Sequence, residues 1–373
     1  MRSRPLRVAV DARCLNVQHV RGMGKLLFEL VRRSAASADI QWHLFGDRLD
    51  WPMNAPIHSK VRAQVFETRG FRFHAWEQWT LPRLARELDV DVLHAPATSL
   101  PWWQPVPTVV TINDVIPWQK QAPGTKSFYR HRLLPSAYKR ARAVLTISRT
   151  SYDDIVDRWP ELESRLHVVS PGVDERYLDA APESGDVVVG RRRVDQAYLL
   201  YLGGSDPRKR LDWAIRVWSA AAKIHAVSLV VCGLRPEERP QVMGIVPQEL
   251  QDRLYLAPFV AEEDMPRLYM RAAAVLYPTL YEGFGLPVVE SHAVGTPILF
   301  SDVGSLSELK GPSSIVLPVN DESAWISAID HVLRARRSTA SRSHSREWAS
   351  RFSWDRYVEE TLRVYDAVAA HRN

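Results

Sequence analysis

Short β-rich runs alternate with helix-like segments along the whole of this 373-residue chain, and that alternation narrows the fold more than any other feature. The first series of strand candidates is "LRVAVD" (6–11), "WHLFG" (42–46), "AQVFE" (63–67), "DVLHA" (91–95), "TVVTIN" (108–113), "AVLTIS" (143–148) and "LHVVS" (166–170). The second is "YLLYLGG" (198–204), "SLVVCG" (228–233), "LYLAPF" (254–259), "AAVLYP" (273–278), "PILFSD" (297–302) and "IVLPV" (315–319). Helix-like segments such as 23–36 and 75–88 stand between several of them. Strands separated by helices imply parallel sheets covered on both faces. Ligands of such sheets bind beyond the carboxyl ends of the strands, so two facing domains would enclose a cleft.

Between the series the pattern breaks into "DERYLDAAPESGD" and then "GRRR", a polar stretch that reads as a linker. The expectation is therefore two doubly wound α/β domains, 1–178 and 197–350. The last segment, "SWDRYVEETLRVYDAVAAHR", reads as an amphipathic helix that begins near Ser353 and packs back on the first domain. With 46% apolar and 25% charged residues the composition is that of a soluble globular protein. No apolar run approaches the roughly 18 residues of a membrane span. The opening "MRSRPLRVAVDARCL" reads as a buried first strand rather than a secretory signal. Cys14 and Cys232 are too few and too far apart for a disulfide framework or a zinc site, which suits a reducing cytoplasm.

The net charge of +6 suits an anionic partner, and its distribution is uneven. From Gln119 to Arg142 there are seven Lys or Arg and no acid. Phe128, Leu133, Leu134, Ala137 and Tyr138 fall near helical spacing there, although Pro135 would kink or split a helix. Such a segment either lies on an anionic membrane surface or is a solvated helix face. Nucleic acid is the least supported partner, because no aromatic stacking platform is interleaved with the cations.

In "YEGFGLPVVE" (281–290), Glu282 and Glu290 flank a Gly-Phe-Gly turn. Gly283, Gly285 and Pro287 argue against one continuous helix. They fit a buried strand, a turn carrying Glu282 and a helix starting near Leu286 or Pro287, where proline's missing N–H costs little. Glycines let backbone approach a ligand, and amides at a helix start face an anion, most naturally a phosphate. Glu290 would accept from hydroxyls such as those of a ribose, and Glu282 would reach whatever hangs from the phosphate. An acidic first helical turn with structural glycines is the competing reading. In "YLGGSDPRKRLDW" (201–213), Arg208, Lys209 and Arg210 stand at a helix start against the helix dipole, which is unfavourable without an anion. A diphosphate would supply one, and fixed cations would stabilise its departure.

"VRGMGKLLFELV" (20–31) fails both common nucleotide motifs, because Leu27 and Leu26 stand where a glycine and a hydroxyl residue are required. What remains is a Gly22/Gly24 loop entering a helix. "TINDVIPW" (111–118) puts Asn113 and Asp114 at a strand end, and His94 ends another.

Taken together, these motifs resemble the retaining glycosyltransferases of family 4, which have the two-domain GT-B fold. The resemblance covers nearly the whole chain, through "GMGK", "HAWEQWTLPRLARELDVDVLHAP", "LTISRTSYDDI", "VVSPGVD", "YLGGSDPRKR", "FVAEEDMPRLYMRAAAVLYPTLYEGFGLPVVE" and "FSWDRY". It implies a nucleotide-sugar donor held by the C-terminal domain. Arg208 and Lys209 would hold its diphosphate with the amides of Gly285 and Leu286, in the Gly283-Phe284-Gly285 turn. Glu290 would bind the ribose, Glu282 the transferred sugar, and backbone around Phe259 and Val260 the base. Gly22 and Gly24 would approach donor phosphate and acceptor, with Asp114 nearby. The resemblance implies no metal and no cofactor, because Arg, Lys and helix amides take the metal's place, and retention by front-face attack. Many relatives have histidine where this chain has Asn113, which can position a hydroxyl but cannot titrate.

The resemblance further implies elongation of a surface polysaccharide or its lipid-linked precursor on the cytoplasmic membrane face. The acceptor would be a glycan or a polyprenyl-diphosphate-linked saccharide, with GDP-mannose the favoured donor because "EQ…LP" and "GMGK" resemble polysaccharide mannosyltransferases. A sugar-nucleotide epimerase on the same fold, or an inactive scaffold subunit, are the alternatives.

Overall fold

A computed structural model describes residues 4–15, 22–37, 39–46, 59–65, 75–119, 127–180, 187–190, 192–194, 196–257, 260–335 and 339–370. The chain forms two compact units, Met1–Gly172 with Trp354–Asn373, and Val173–Ser353.

The first unit is built on a seven-stranded parallel sheet. Its strands are β1 (Leu6–Asp11), β2 (Ile40–Gly46), β3 (Val61–Val65), β4 (Val92–Ala95), β5 (Thr108–Thr111), β6 (Ala143–Thr146) and β7 (Leu166–Val168), in the spatial order β3-β2-β1-β4-β5-β6-β7. Register is fixed by pairs such as Val8↔Trp42 and Val8↔Val92 on either side of β1. The central strands are buried on both faces, which explains their continuous apolar sequences. The helix Met23–Ser37 packs against the C-terminal helix Trp354–Ala370. Buried Tyr365 of the latter bonds His94 Nδ1 at 2.6 Å, and Arg33 pairs with Asp355 at 2.8 Å.

Two helices of this unit share an irregularity with one cause. Trp76–Thr80 and Tyr129–Leu133 are π-helical, and each passes into an α-helix, Leu81–Glu87 or Leu134–Tyr138, whose second residue is proline. Pro82 and Pro135 donate no N–H, and their rings crowd the carbonyl four residues back, so the preceding turn widens. The amphipathic stripe expected over 128–138 does not face outward. Leu134, Ala137 and Tyr138 are core residues, packed with Val110, Trp118 and Trp159, and only Phe128 of the stripe is exposed. Lys120 through Lys126 lie outside the described residues.

The second unit carries a six-stranded parallel sheet of β10 (Ala197–Leu202), β11 (Val227–Cys232), β12 (Leu254–Leu256), β13 (Ala274–Tyr277), β14 (Ile298–Ser301) and β15 (Ser314–Leu317). Their order, β12-β11-β10-β13-β14-β15, is that of dinucleotide-binding folds. Trp213, Trp218 and Trp325 anchor its core beneath Leu199, Leu229 and Leu276. The stretch read as a linker is structured in part. Residues 173–178 belong to this second unit, because Val173 bonds Phe352 at 3.0 Å, Arg176 pairs with Glu262 at 3.2 Å, and Tyr177 packs on Tyr269. A short antiparallel hairpin, β8 (Val188–Val189) and β9 (Arg192–Arg193), follows, held where Arg192 stacks on Tyr255 and donates to the Asp252 and Leu254 carbonyls. Two-residue strands leave no periodic signature, so they could not be read from sequence.

Candidate active site

In the second unit the strand order reverses between β10 and β13, and a parallel sheet opens a crevice at such a point. The loops leaving these two strands carry the cations and the first acid of the sequence motifs. After β10 the chain turns through Gly203 and Gly204. A Cβ on Gly203 would collide with the Tyr201 hydroxyl, and Gly204 has a left-handed φ of +60°. Asp206 Oδ1 then accepts from the Arg208 N–H at 2.9 Å, which sets the short turn Pro207–Lys209. Arg210, left-handed at φ 56°, swings its side chain away to Asn320 Oδ1 at 2.8 Å and over Trp213. The three adjacent cations are thus divided, and Arg208 and Lys209 alone point at the loop after β13.

Glu282 receives them. Arg208 Nη1 lies 2.9 Å from one carboxylate oxygen and Lys209 Nζ 3.4 Å from the other, which also accepts from Thr279 Oγ1 at 3.0 Å. Burial opposes the charge on Arg208, but Glu282 and Asp206 outweigh it and its pKa is raised. Burial and the Glu282 charge hold the Tyr277 hydroxyl far above its usual range, so it donates to Glu282 as a neutral group. The Glu282 backbone is fixed as well, because Ser305 Oγ lies 2.8 Å from its carbonyl and 2.7 Å from that of Phe284.

Phe284 is buried against Phe352, and Gly285 sits at φ +114° with its Cα against Leu306, where no side chain fits. The helix Leu286–Ala293 starts there. Pro287 has no N–H, and Val288 N bonds Gly285 O at 2.9 Å. Among the described residues this leaves the amides of Gly285 and Leu286 as that turn's donors. One turn along, Glu290 accepts from Tyr269 Oη at 2.6 Å. Glu282 and Glu290 are both only 9% exposed, unusual for acids on a loop and a helix start. Val260 lines a cavity of about 430 Å³ with Ala257, Asp264, Arg267 and the hairpin residues Val187–Gly190. Phe259 lies outside the described residues.

Asn113, Asp114, Gly22 and Gly24 belong to the first unit. Asn113 follows β5 and is 6% exposed; neither atom of its carboxamide has a hydrogen-bond partner among the described residues, while its main-chain carbonyl accepts from Ser151 Oγ at 2.9 Å. An unsatisfied buried amide is costly, and a ligand group is one way to satisfy it. Asp114 Oδ1 accepts from Ile116 N at 2.9 Å and starts the short helix Ile116–Gln119. Gly22 is left-handed at φ +53°, and Gly24 lies in the first turn of Met23–Ser37. His94 is structural, clamped between Thr111 Oγ1 at 2.8 Å and Tyr365, and burial lowers its pKa to about 3.

One cluster escaped the sequence reading. Asp11, which ends β1, is gripped by Arg13 Nε at 2.7 Å, and Arg13 Nη2 reaches Glu77 at 2.8 Å; Tyr129 donates to the same Glu77, which is fully buried. Burial pushes the Asp11 carboxyl up, against the pull of Arg13. An acid closing the first strand and the Glu-Gln pair within "HAWEQWT" were its available signals. Among the described residues no three His, Cys, Asp or Glu side chains stand together as metal ligands would.

Comparison with known proteins converges on one family. Residues 20–177 match the model for Glycosyltransferase Family 4, and residues 196–335 that for Glycosyl transferases group 1. O-antigen chain mannosyltransferase B of Escherichia coli is 26% identical over 372 residues, spanning 92% of this chain and 95% of that protein. D-inositol 3-phosphate glycosyltransferase of Salinispora tropica is 34% identical over 253 residues, covering 60% of this chain but only 51% of its own length. Among solved structures, HepE of Anabaena in complex with UDP-glucose superimposes with a TM-score of 0.74 at 14% identity, over 97% of this chain and 99% of that one. WaaG, a glycosyltransferase involved in lipopolysaccharide biosynthesis, does so with 0.69 at 15% identity, over 99% and 100%. Two parallel-sheet units, a cation–carboxylate cluster at a switch point and these likenesses place the chain among the family 4, group 1 glycosyltransferases, retaining enzymes of the GT-B fold that transfer sugar from a nucleotide-sugar.

Proposed function

We propose that the chain transfers mannose from GDP-mannose to a glycan or polyprenyl-diphosphate-linked saccharide in surface polysaccharide assembly, at the inner face of the cytoplasmic membrane. One observation carries the donor reading. Arg208 and Lys209 converge at 2.9 and 3.4 Å on one nearly buried carboxylate, beside the point where the strand order of the second sheet reverses. Cations so fixed would grip a diphosphate and stabilise the charge it gains on leaving, without reorganising during the reaction. The amides of Gly285 and Leu286 would add to that grip. Glu290, already oriented by Tyr269, would accept from ribose hydroxyls, and Glu282 from those of the transferred sugar. Val260 and its neighbours would take the base. From the first unit, Asn113 would offer its unpartnered amide to a sugar hydroxyl, while Gly22, Gly24 and Asp114 would border the acceptor.

The mannosyl and polysaccharide parts of the proposal are supported by the near full-length likeness to O-antigen chain mannosyltransferase B. Thermal unfolding of the purified protein with GDP, UDP, ADP and their sugars tests the donor. Stabilisation by GDP and GDP-mannose is expected, together with mannose transfer to a lipid-linked saccharide. Selective stabilisation by UDP-sugars would replace the guanine assignment. No stabilisation by any nucleotide would remove the donor reading altogether. An epimerase would convert the nucleotide-sugar with no acceptor present.

A further inference from the structure

The cavity beside Val260 takes one wall from the stretch between the two strand series. The hairpin β8–β9 lines it through Val187, Val189 and Gly190, together with Ala257, Ala261 and Leu268. A two-stranded hairpin is marginal on its own. This one is held in place, because Val194 N donates to Val187 O at 2.9 Å, and Arg192 donates to the Leu254 carbonyl at 3.2 Å and stacks on Tyr255. Gly190 turns the chain at φ 64°, and Val187 and Val189 are buried, so the wall presents a fixed apolar face. At about 430 Å³ the cavity falls within the range of small-molecule sites, and an apolar lining with a few polar groups is their usual make-up.

The charged side chains of that lining are Asp264 and Arg267, at i,i+3 spacing around the start of the helix Met265–Arg271. Asp264 stands where an acid normally caps a helix. Its backbone is helical instead and, among the described residues, its side chain makes no capping bond. Glu262, a neighbouring acid of the same loop, is drawn off to Arg176 at 3.2 Å. The helix also carries Tyr269, whose hydroxyl fixes Glu290 at 2.6 Å. One helix thus holds both the charged pair of the cavity and the group that orients the carboxylate assigned to the ribose.

We propose that Asp264 and Arg267, backed by the Val187–Gly190 hairpin, read the donor's base and restrict it to guanine. The proposal rests on the donor reading given above and adds the residues that choose the base. A carboxylate only accepts, so it is best satisfied by two adjacent N–H groups on one edge. Guanine offers them at N1 and N2. Adenine offers only its N6 amine, and uracil sets its single N–H between two carbonyls that a carboxylate repels. The O6 and N7 acceptors of guanine suit the forked guanidinium of Arg267. Ala257, Ala261 and Gly190 leave room for two fused rings, whereas a single ring would leave part of the apolar wall without contact.

The test is calorimetry of the full chain with the diphosphates of guanosine, inosine, xanthosine, adenosine and uridine, and with inorganic pyrophosphate. The wild type should bind GDP about tenfold or more tightly than inosine diphosphate, which lacks the N2 amine. Xanthosine diphosphate, with a carbonyl in that place, should bind more weakly still. Asp264→Asn should reverse the preference, because its amide accepts from N1 and donates to the xanthine carbonyl. A reversal cannot come from misfolding. Arg267→Ala should weaken GDP by about tenfold, and Ala261→Leu, which narrows the cavity, should weaken it too. All three variants should keep the wild-type affinity for pyrophosphate. Folded variants that bind GDP and xanthosine diphosphate as the wild type does would overturn the proposal and leave the donor reading standing. A wild type that prefers UDP or ADP, or takes all three alike, would likewise overturn it while keeping a nucleotide donor. A wild type that binds no nucleotide would remove the donor reading and this proposal with it.

Discussion

Replacing Glu282 with Gln should make the protein bind free diphosphates more tightly while it loses transfer. In the structure the cations assigned to the donor's diphosphate are already occupied, with Glu282 2.9 Å from Arg208 and 3.4 Å from Lys209. A charge pair near 4 Å is worth about 4 kcal/mol at an effective dielectric near 20, so an incoming diphosphate competes with a substantial attraction. Arg208 and Lys209 retain about a fifth of their side-chain exposure, at 20% and 23%, so water returns much of it. We expect about 1.4 kcal/mol to remain, a gain of about tenfold in affinity. Gln preserves the shape and the bond from Thr279 while removing the charge. Calorimetry with GDP and with inorganic pyrophosphate on wild type, Glu282→Gln and Glu282→Ala measures the effect. Mannosyl transfer should fall by about a hundredfold or more, because the sugar loses its acceptor carboxylate. Diphosphate affinity unchanged or weaker in both variants would refute the idea that Glu282 and the donor contend for the same cations.

Lys209→Ala should lower donor affinity and turnover together, and an unchanged rate at saturating donor would refute a role in departure of the diphosphate. Glu290→Gln should weaken nucleoside binding by about tenfold while sparing the fold, and Tyr269→Phe should follow it less strongly; unaltered nucleotide affinity in calorimetry would remove the ribose assignment. Asn113→Ala should slow transfer with little change in the unfolding temperature, and Asn113→His should recover part of the rate; alanine without effect would place Asn113 outside the reacting site. Burial lowers His94 to about 3 and His43 to about 4, so the unfolded chain binds more protons than the folded one below the ordinary histidine pKa near 6.5. Stability from these groups is therefore complete above about pH 6.5 and falls as pH drops toward 4 and 3. Urea titrations should show that slope, and His43→Gln should lessen it; a flat profile would show that neither histidine is held neutral.

The fold was largely legible because buried parallel strands are continuous apolar runs, and every strand of the two parallel sheets overlaps a run read from the sequence, although β2 and β3 begin two residues earlier than their runs. Ends were overread where polar loop residues extend a strand pattern, as at Asn113 beyond β5. The turn around Glu282 was legible for a local reason, since Gly285 and Pro287 permit few alternatives between a strand and a helix. Cation orientation was not. Arg208, Lys209 and Arg210 look equivalent in sequence, and the left-handed backbone at Arg210 separates them. Nor could periodicity reveal what covers a residue. Leu134, Ala137 and Tyr138 form an apolar stripe whether lipid or Trp118 lies against it, and the Asp11–Arg13 pair meets Glu77, and Glu77 meets Tyr129, only through long-range folding.

The C-terminal helix matters for anyone cutting the protein apart. Trp354, Tyr357, Val358 and Tyr365 are buried in the unit built from the beginning of the chain, and Tyr365 closes over His94. A fragment ending at Gly172 would strip that cover from the Met23–Ser37 helix and expose an adhesive flank. An expression clone for the first unit alone should splice residues 354–370 behind 172, whereas 173–353 already forms an uninterrupted segment.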